Sequence, residues 1–423
     1  MKKITFILAL ILVCSHILLA QNPNENKKPR IALILSGGGA KGIAHIPVLQ
    51  MLDSLGIVPD LVVGNSMGSI VGGLYAMGYS GDSIAHIAKT ANWDNLIGGN
   101  VSLNNVSVEE KTEFGRYLIG MGAKDGKIKL TPFLLNDQNL RTFLADLTYP
   151  VYTNTNFDKL SIPFRAIATD IVNGKEVVLD KGGLAFAMRA SMSIPGAFIP
   201  VPYENTLLID GGVLNNFPVD VAKKLNVDYI IGSDVGGGME PKEKLDNITT
   251  LLFQTGMLHS NLKNPENRAL CDILIDHTSY LSFSTGDFSK SEEIYEEGKI
   301  ATNLNLNALI NLSKKIKEFK QLEHKLPIVN EEIILDTIVY NNISKYNLAL
   351  VKARTNIKTN KSYTKQDILN GINRTMGTTI FSHITFTSLT TKNKKKLGRL
   401  YAPYFNDSRC DRGMYRGIFH LSK

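Results

Sequence analysis

Cysteine is scarce in this chain, with three residues in 423. So few cysteines exclude a disulfide framework, and no cluster of cysteine and histidine has the spacing of a zinc site. We therefore expect no metal and no cofactor. Charged residues make up 20% of the chain and hydrophobic residues 43%, close to the average of soluble globular proteins. This composition excludes a disordered, collagen-like or polytopic membrane chain.

An excess of positive charge is also missing from the body of the chain, although the formal net charge is +8. Residues 391–423 hold nine lysines and arginines against two aspartates, and Lys2 and Lys3 add two more cations. The remaining residues, 21–390, carry a net charge of −1. A nucleic-acid-binding domain needs a basic face on its folded surface, so we expect no nucleic-acid partner.

The first 20 residues have the pattern of a secretory signal peptide. Lys2 and Lys3 precede an apolar run over residues 4–14, and Ala20 stands before a polar stretch, where we expect cleavage. The alternative is a transmembrane anchor, but polar residues at 15 and 16 interrupt the run, which is short for a span. We expect the protein to be exported, to the periplasm or to the outer membrane.

Two strand–turn–helix units follow the leader. Residues 31–35 and 61–63 are continuous apolar runs, which are typical of strands buried on both faces. Each run leads into a glycine-rich turn and then into an apolar helical pattern, over residues 44–55 and 70–77. Successive units of this kind with short loops predict an α/β fold with a mostly parallel sheet.

The first turn reads Gly-Gly-Gly-Ala-Lys-Gly over residues 37–42. It lacks the Gly-Lys-Ser/Thr of a Walker loop, and the second strand does not end in the acidic residue that would hold the ribose of a dinucleotide. Glycines at the start of a helix let backbone N–H groups approach an anion directly. If that anion is the tetrahedral oxygen of acyl transfer, this loop forms an oxyanion hole.

The second turn reads Gly-Asn-Ser-Met-Gly over residues 64–68. This is the G-x-S-x-G pattern of a nucleophile elbow, and it stands between a strand and a helix, as that motif requires. The sharp turn would raise the Ser66 hydroxyl above the sheet, and the helix N-terminus would stabilise developing negative charge. The pattern therefore predicts a nucleophilic serine at position 66.

Two kinds of base could serve Ser66. A Ser-His-Asp enzyme would need a later histidine, and His259, His277 and His324 are the best placed, but none stands in a glycine-rich turn after a strand. Asp210 has better context, because it ends an apolar strand and is followed by two glycines. His45, beside the first loop, is expected to be a packed or capping residue.

These motifs together resemble the patatin-like phospholipases. GGGAKG at 37–42, GNSMG at 64–68 and DGG at 210–212 match that family's motifs in order and spacing over about residues 31–224, and RASMSIPGAFIP at 189–200 resembles its segment before the catalytic aspartate. The resemblance implies a three-layer sandwich around the sheet and a Ser66–Asp210 dyad without histidine. It also implies an oxyanion hole and motif-flanking positions: Gly37, Gly38 and Gly39 for the former, Lys41, Gly42, Gly64, Gly68, Gly211 and Gly212 for the latter.

A dyad suffices for ester cleavage if its carboxylate can accept and return one proton. Asp210 would accept the Ser66 proton during attack and return it to the leaving alkoxide. An ester leaves more easily than an amide, so that a weak base is tolerable. We expect partial burial to raise the pKa of Asp210.

The rest of the chain carries weaker patterns. Asn173-Gly174 predicts a hairpin between strands at 164–170 and 176–179, in which Asp170 is structural. Residues 225–326, apart from a strand at 227–231, predict a helical extension that covers the site or the sheet edge.

The last hundred residues predict a further unit and a tail. A β-α-α-β pattern over residues 330–390 is similar to a POTRA module, as found between exported patatin domains and an outer-membrane barrel. Only 33 residues follow Thr390, so we expect that barrel to be missing. Residues 391–423 predict a basic, unstructured tail that could touch anionic lipid headgroups.

The sequence thus predicts an exported serine hydrolase that acts on phospholipids or other acyl esters at a membrane surface, of the phospholipase A type. Two alternatives stay open: a Ser-His-Asp esterase, and a non-catalytic envelope scaffold in which the POTRA-like module is the working part. The oligomeric state is left open by these patterns.

Overall fold

The computed structural model describes residues 28–97, 99, 121–124, 127–130, 135–239, 241–246, 248–329, 332–341, 343–378, 380–381, 383–390 and 396–401. The predicted signal peptide lies outside these described residues. Among the helices that are described, none combines the length and the apolar character needed to cross a membrane.

The strands are short and most belong to one sheet. In chain order they are β1 (Ile31–Leu35), β2 (Leu61–Asn65), β3 (Met121–Lys124), β4 (Lys127–Leu130), β5 (Phe164–Asp170), β6 (Lys175–Leu179), β7 (Val201–Tyr203), β8 (Thr206–Asp210), β9 (Tyr229–Asp234), β10 (Ile273–Asp276), β11 (Glu332–Ile334), β12 (Thr337–Asn341), β13 (Ser362–Thr364), β14 (Thr385–Thr390) and β15 (Lys396–Tyr401).

The helices alternate with the first strands and then dominate the middle of the chain. They are α1 (Ile46–Ser54), α2 (Met67–Met77), α3 (Gly81–Thr90), α4 (Trp93–Leu96), α5 (Gln138–Leu147), α6 (Leu184–Ser191), α7 (Gly212–Asn215), α8 (Val219–Lys224), α9 (Ile248–Ala269), α10 (Ser291–Leu304), α11 (Leu306–Ile316), α12 (Lys345–Thr355) and α13 (Lys365–Met376). Short 3₁₀ turns lie between them, the first over Gly39–His45.

The main sheet has the strand order β10-β9-β1-β2-β5-β8-β7, and β6 pairs with β5. The five strands from β10 to β5 are parallel, whereas β6, β7 and β8 are antiparallel to their neighbours. The predicted mostly parallel sheet is confirmed. The predicted hairpin is confirmed as well, because β5 and β6 pair around the Asn173-Gly174 turn.

Both faces of the sheet are covered, as the continuous apolar strands predict. Side chains of a strand alternate between its faces, and in β1 Leu33 joins a core with Leu49 of α1, while Ile34 joins another with Val221 of α8. Helices therefore lie on either side of the sheet. This is the expected three-layer sandwich.

The extension over residues 225–326 is less helical than predicted. β9 pairs in parallel with β1, and β10 pairs in parallel with β9, so the sheet continues to residue 276. The prediction held no strand after residue 231 in this region, and that was wrong for β10. Its four residues alternate between buried and half-buried at the sheet edge, which leaves too short a pattern to distinguish from a helix.

The last described part forms a unit with its own core. β11 pairs with β13, β12-β15-β14 form a mixed sheet, and α12 and α13 pack together with them. A capping box begins α13, because Thr364 and Asp367 each bond the other's backbone N–H. The prediction of an unstructured tail is wrong for residues 396–401, since they form β15. Identification of this unit as POTRA-like stays a prediction.

Candidate active site

Ser66 lies in a strained turn between β2 and α2. Its backbone has φ 51° and ψ −125°, in a region that residues other than glycine rarely occupy. The flanking glycines allow close backbone approach: a Cβ on Gly64 would lie 2.4 Å from the Gly68 carbonyl oxygen, and one on Gly68 2.4 Å from that of Leu35. The predicted nucleophile elbow is present.

The Ser66 hydroxyl donates a hydrogen bond of 2.6 Å to Oδ2 of Asp210. Both side chains are buried, with exposed fractions of 5% and 6%. The other carboxylate oxygen, Oδ1, accepts a bond of 2.7 Å from the Gly212 N–H. Burial raises the pKa of Asp210 to about 6, and hydrogen bonds from Ser66 and Gly212 oppose this rise. The expected direction of the pKa shift is confirmed.

Asp210 reaches Ser66 from an antiparallel strand. Sequence reasoning placed this carboxylate at the carboxyl end of a strand in a parallel sheet, but β8 runs opposite to β5 and pairs Asp210 with Ala168. β5 continues for two residues beyond Ala168, and β8 runs back along it. Its last residue, Asp210, therefore lies at the level of Ser66, which follows the Asn65–Ile167 pair of β2 and β5. Asp210 ends its strand, as predicted, but the antiparallel direction of that strand was not predicted.

The glycine loop is braced on one side and leaves N–H groups available on the other. The Gly37 N–H donates to the Asn216 carbonyl at 3.1 Å, so it is already used and cannot also serve an oxyanion. Within the described part of the chain, the N–H groups of Gly38 and Gly39 donate to no backbone carbonyl outside their own turn. Gly39 has φ +56°, and a Cβ there would lie 2.2 Å from the Thr285 carbonyl oxygen. Of the three N–H groups predicted for the oxyanion hole, those of Gly38 and Gly39 are therefore available as donors, and that of Gly37 is not.

The remaining motif positions pack around this centre. A Cβ on Gly42 would meet Met67 at 2.4 Å, and one on Gly211 would meet the Asn65 side chain at 2.3 Å. Gly212 donates to Asp210, as described. Lys41 is half-buried, and its Nζ lies 3.4 Å from the place of a Cβ on Gly237.

Polar side chains that sequence reasoning did not single out hold these groups together. Asn216 donates from Nδ2 to the Gly37 carbonyl at 3.0 Å and accepts at Oδ1 from Asn65 Nδ2 at 3.1 Å. Asn65 also lies 3.5 Å from Oδ1 of Asp210. The Ser66 N–H donates to Ser191 Oγ at 2.9 Å. Asn65 and Ser191 stand within the quoted motifs and Asn216 follows the last of them, but a sequence pattern does not show which side chain bridges two loops.

The three histidines of the triad alternative lie elsewhere. His259 is exposed on α9. His324 bonds the Tyr75 carbonyl at 2.8 Å, and His277 bonds Ser233 at 3.0 Å. Among the described residues, none of these three histidines hydrogen-bonds to Ser66 or Asp210. This placement disfavours a Ser-His-Asp triad.

A buried chain of hydrogen bonds runs beneath the glycine loop. His45 Nε2 bonds the Ser36 carbonyl at 2.9 Å and therefore carries a proton, so that Nδ1 of the neutral ring accepts from Ser233 Oγ at 2.7 Å. Ser233 Oγ in turn accepts from His277 Nε2. Burial lowers the pKa of His45 to about 4 and that of His277 to about 3, so both rings are neutral at pH 7. His45 is packed, as predicted.

Residues 33–223 match the model of the patatin-like phospholipase family. An uncharacterized NTE family protein of Mycobacterium tuberculosis is 34% identical over 212 residues, which are 50% of this chain and 51% of that protein. Lysophospholipase NTE1 of Meyerozyma guilliermondii is 28% identical over 310 residues, 64% of this chain and 19% of that protein. The chain thus spans about half the length of the first relative and less of the second.

Solved structures show more distant likeness. VipD from Legionella pneumophila is 15% identical, with 67% of each chain covered and a TM-score of 0.35. Human GIVD cytosolic phospholipase A2 is 11% identical, with 70% of this chain and 61% of that chain covered and a TM-score of 0.38. The family match spans the glycine loop, Ser66 and Asp210. The family model thus identifies residues 33–223 as a patatin-like phospholipase domain.

Proposed function

We propose that this protein is a serine lipid acyl hydrolase that cleaves acyl esters of phospholipids, a phospholipase A, with Ser66 as nucleophile and Asp210 as its base. The observation that carries the proposal is the 2.6 Å hydrogen bond between the strained serine and the buried carboxylate. A strained backbone persists only where its surroundings enforce it, and such sites are often functional.

The first half of the reaction forms an acyl-enzyme. Asp210 takes the Ser66 proton while Oγ attacks the ester carbonyl carbon, and the carbonyl oxygen becomes an oxyanion. The N–H groups of Gly38 and Gly39 are the donors for that oxyanion. The intermediate then expels the lysophospholipid alkoxide, which receives the proton from Asp210.

The second half releases the fatty acid. Water takes the place of the leaving group, Asp210 accepts a proton from it, and the resulting hydroxide attacks the acyl carbon. Collapse of this second intermediate breaks the bond to Ser66 Oγ, which regains its proton from Asp210. The raised pKa of Asp210, about 6, brings this carboxylate closer to the operating pH of a general base than an ordinary aspartate.

We further propose that the protein is exported and works at a lipid surface of the periplasm or the outer membrane. The support is the signal-peptide pattern of residues 1–20 together with the lipid substrate that the family implies. The lysophospholipase among the relatives acts on the same kind of bond, as its name states.

The test combines active-site labelling with two substitutions. A fluorophosphonate probe should label Ser66 of the folded protein, and Ser66→Ala should abolish both labelling and ester hydrolysis. Asp210→Asn should lower hydrolysis by about 10⁴-fold, because the amide cannot accept the proton. Ser54→Ala and Asp94→Asn make the same chemical changes at exposed positions and should be fully active.

Two results would contradict the proposal. An active Ser66→Ala variant would refute Ser66 as nucleophile, and a folded wild-type protein that is not labelled at Ser66 would favour the non-catalytic scaffold instead.

A further inference from the structure

Three polar side chains of helix α9 face the protein. Ser260 Oγ accepts from the Asn216 N–H at 2.6 Å, Asn264 Nδ2 donates to Asp234 at 3.2 Å, and Asn267 Nδ2 donates to Asn215 at 3.1 Å. The side chains of Ser260, Asn264 and Asn267 are buried, with exposed fractions between 2% and 9%. A helix on the surface of a globular protein normally turns such residues to solvent and its apolar residues inward.

The opposite face of α9 carries leucines. Leu251, Leu258 and Leu262 are 45%, 42% and 69% exposed. At 100° per residue these positions lie within about 40° of each other, and about 180° from the face that Ser260 occupies. We call these three residues the leucine stripe. Residues 247–262 contain no lysine, arginine, aspartate or glutamate, so no charge interrupts it.

The stripe lies beside the candidate active site. Met257, on the same helix, has its Cε 3.0 Å from the place of a Cβ on Gly212, and Gly212 donates to Asp210. A second exposed apolar element stands at this edge of the sheet: the tip of the β5–β6 hairpin, where Ile171 and Val172 are 51% and 61% exposed. Because β5 is parallel to β2 and runs beyond the level of Asp210, this tip projects from the end of the sheet at which Ser66 lies.

We propose that the leucine stripe is a membrane-docking face, which inserts into the acyl layer of a phospholipid surface and so holds the active-site mouth against its substrate. The inference rests on the proposed function for the choice of a lipid as the partner. A helix that lies in a membrane interface has an apolar face buried at the boundary between headgroups and acyl chains. The exposed leucines of α9, opposite its buried polar side chains, give the stripe this property.

The size and shape of the stripe favour a lipid surface over a second copy of the chain. Fully burying three leucines removes at most about 360 Å² from water, against the roughly 800 Å² per partner of a stable protein interface. The consecutive residues Leu251, Leu252 and Phe253 are all exposed, so this end of α9 is a ridge. A deformable lipid layer accepts a ridge, whereas a protein partner needs a matching groove.

The test uses the full chain with Leu251→Gln, Leu258→Gln and Leu262→Gln combined. The matched control is Ile300→Gln with Leu304→Gln, which are 45% and 66% exposed on α10. Binding to vesicles of neutral phosphatidylcholine is measured by sedimentation, with Ser66→Ala added to every protein so that the vesicles stay intact. Turnover of a soluble, monomeric ester is measured with Ser66 restored.

We expect the triple variant to bind vesicles at least tenfold more weakly, with turnover of the soluble ester unchanged within twofold and the control variant like wild type. Wild-type vesicle binding by the triple variant would overturn the proposal. A wild-type dimer that the triple variant converts to a monomer would also overturn it, and would assign the stripe to a second copy. Binding and soluble-ester turnover are separate measurements, so an inactive wild type would contradict the proposed function and leave the docking result readable.

Discussion

At the scale of single residues, the acid–base behaviour of Asp210 follows from its position. The carboxylate is 6% exposed and accepts hydrogen bonds on both oxygens, from Ser66 and from Gly212. Burial disfavours the charged form more than these bonds favour it, and the pKa rises to about 6. Asp137, also buried, shows the opposite case: the charges of Arg141 and Arg189 hold its pKa well below the usual range, against desolvation.

The raised pKa of Asp210 predicts how hydrolysis depends on pH. In the proposed mechanism ionised Asp210 takes the proton, and its ionisation increases as the pH rises through its pKa. We therefore expect kcat/KM for a soluble ester to rise about tenfold per pH unit below pH 6 and to level off above it. A rate profile from pH 4 to 8, corrected for unfolding by circular dichroism, measures this. A level rate between pH 5 and 7 would show that Asp210 does not limit the reaction.

Which residues the sequence could identify depends on how local their role is. Ser66 and Gly64 act within one turn, so that a five-residue motif predicts both the nucleophile and the strain. Asn216 acts between two loops, by holding the Gly37 carbonyl and the Asn65 amide. Such a contact depends on the tertiary fold, and an asparagine at this place in the sequence could equally have faced solvent.

At the scale of elements, the same distinction separates β1 and β2 from β10. The first two strands are buried on both faces and lead into glycine turns, so their patterns are strong and local. β10 is a four-residue edge strand whose place is decided by its pairing with β9. The direction of β8 was also beyond the sequence, because a short apolar run before Asp-Gly-Gly is identical for either orientation.

Strand β9, the 3₁₀ turn over Gly39–His45 and the residue after β10 meet beneath the glycine loop. Ser233 of β9 links His45 of the 3₁₀ turn to His277, which follows β10, and His45 holds the Ser36 carbonyl beside Gly37. Ser233→Ala removes the central hydroxyl and loosens this support. We expect kcat to fall about tenfold with KM within twofold, because the oxyanion contacts are made in the transition state.

The control for that prediction is Ser313→Ala, which removes a serine hydroxyl bonded to the Leu55 carbonyl at 2.7 Å, away from the loop. Steady-state kinetics on a soluble ester compare the two variants with wild type. An unchanged kcat for Ser233→Ala, or a rise in KM alone, would show that the chain stabilises the fold without positioning the oxyanion donors.

At the scale of the whole molecule, the last unit is joined to the catalytic domain through α5. Gln138 of α5 exchanges two hydrogen bonds with the backbone of Ile384, at 3.2 and 2.8 Å. On the same helix, Asp146 pairs with Lys365 of α13 at 2.5 Å. The hydrophobic cores nevertheless stay separate: the core of the last unit, with Ile333, contains none of the buried residues around the main sheet.

The strand that replaces part of the expected unstructured tail, β15, gives this unit a role for residues 396–401. β15 is the central strand of its sheet, with six residue pairs to β14 and five to β12. Deleting residues 391–423 leaves both neighbours without their hydrogen-bond partner and removes the strand that joins β12 to β14. Deleting only residues 402–423 keeps all of these pairs.

We therefore expect the two deletions to differ. The longer one should lower the melting temperature of the last unit by several degrees and expose residues 332–390 to limited proteolysis, while the shorter one should melt like wild type. Soluble-ester hydrolysis should survive in both, because Ser66, Asp210 and the glycine loop are held by the main sheet and its own core. Equal melting and equal protease resistance of the two proteins would show that β15 does not support this unit. Loss of hydrolysis in the longer deletion alone would show instead that the contact through Gln138 transmits the state of the last unit to the active site.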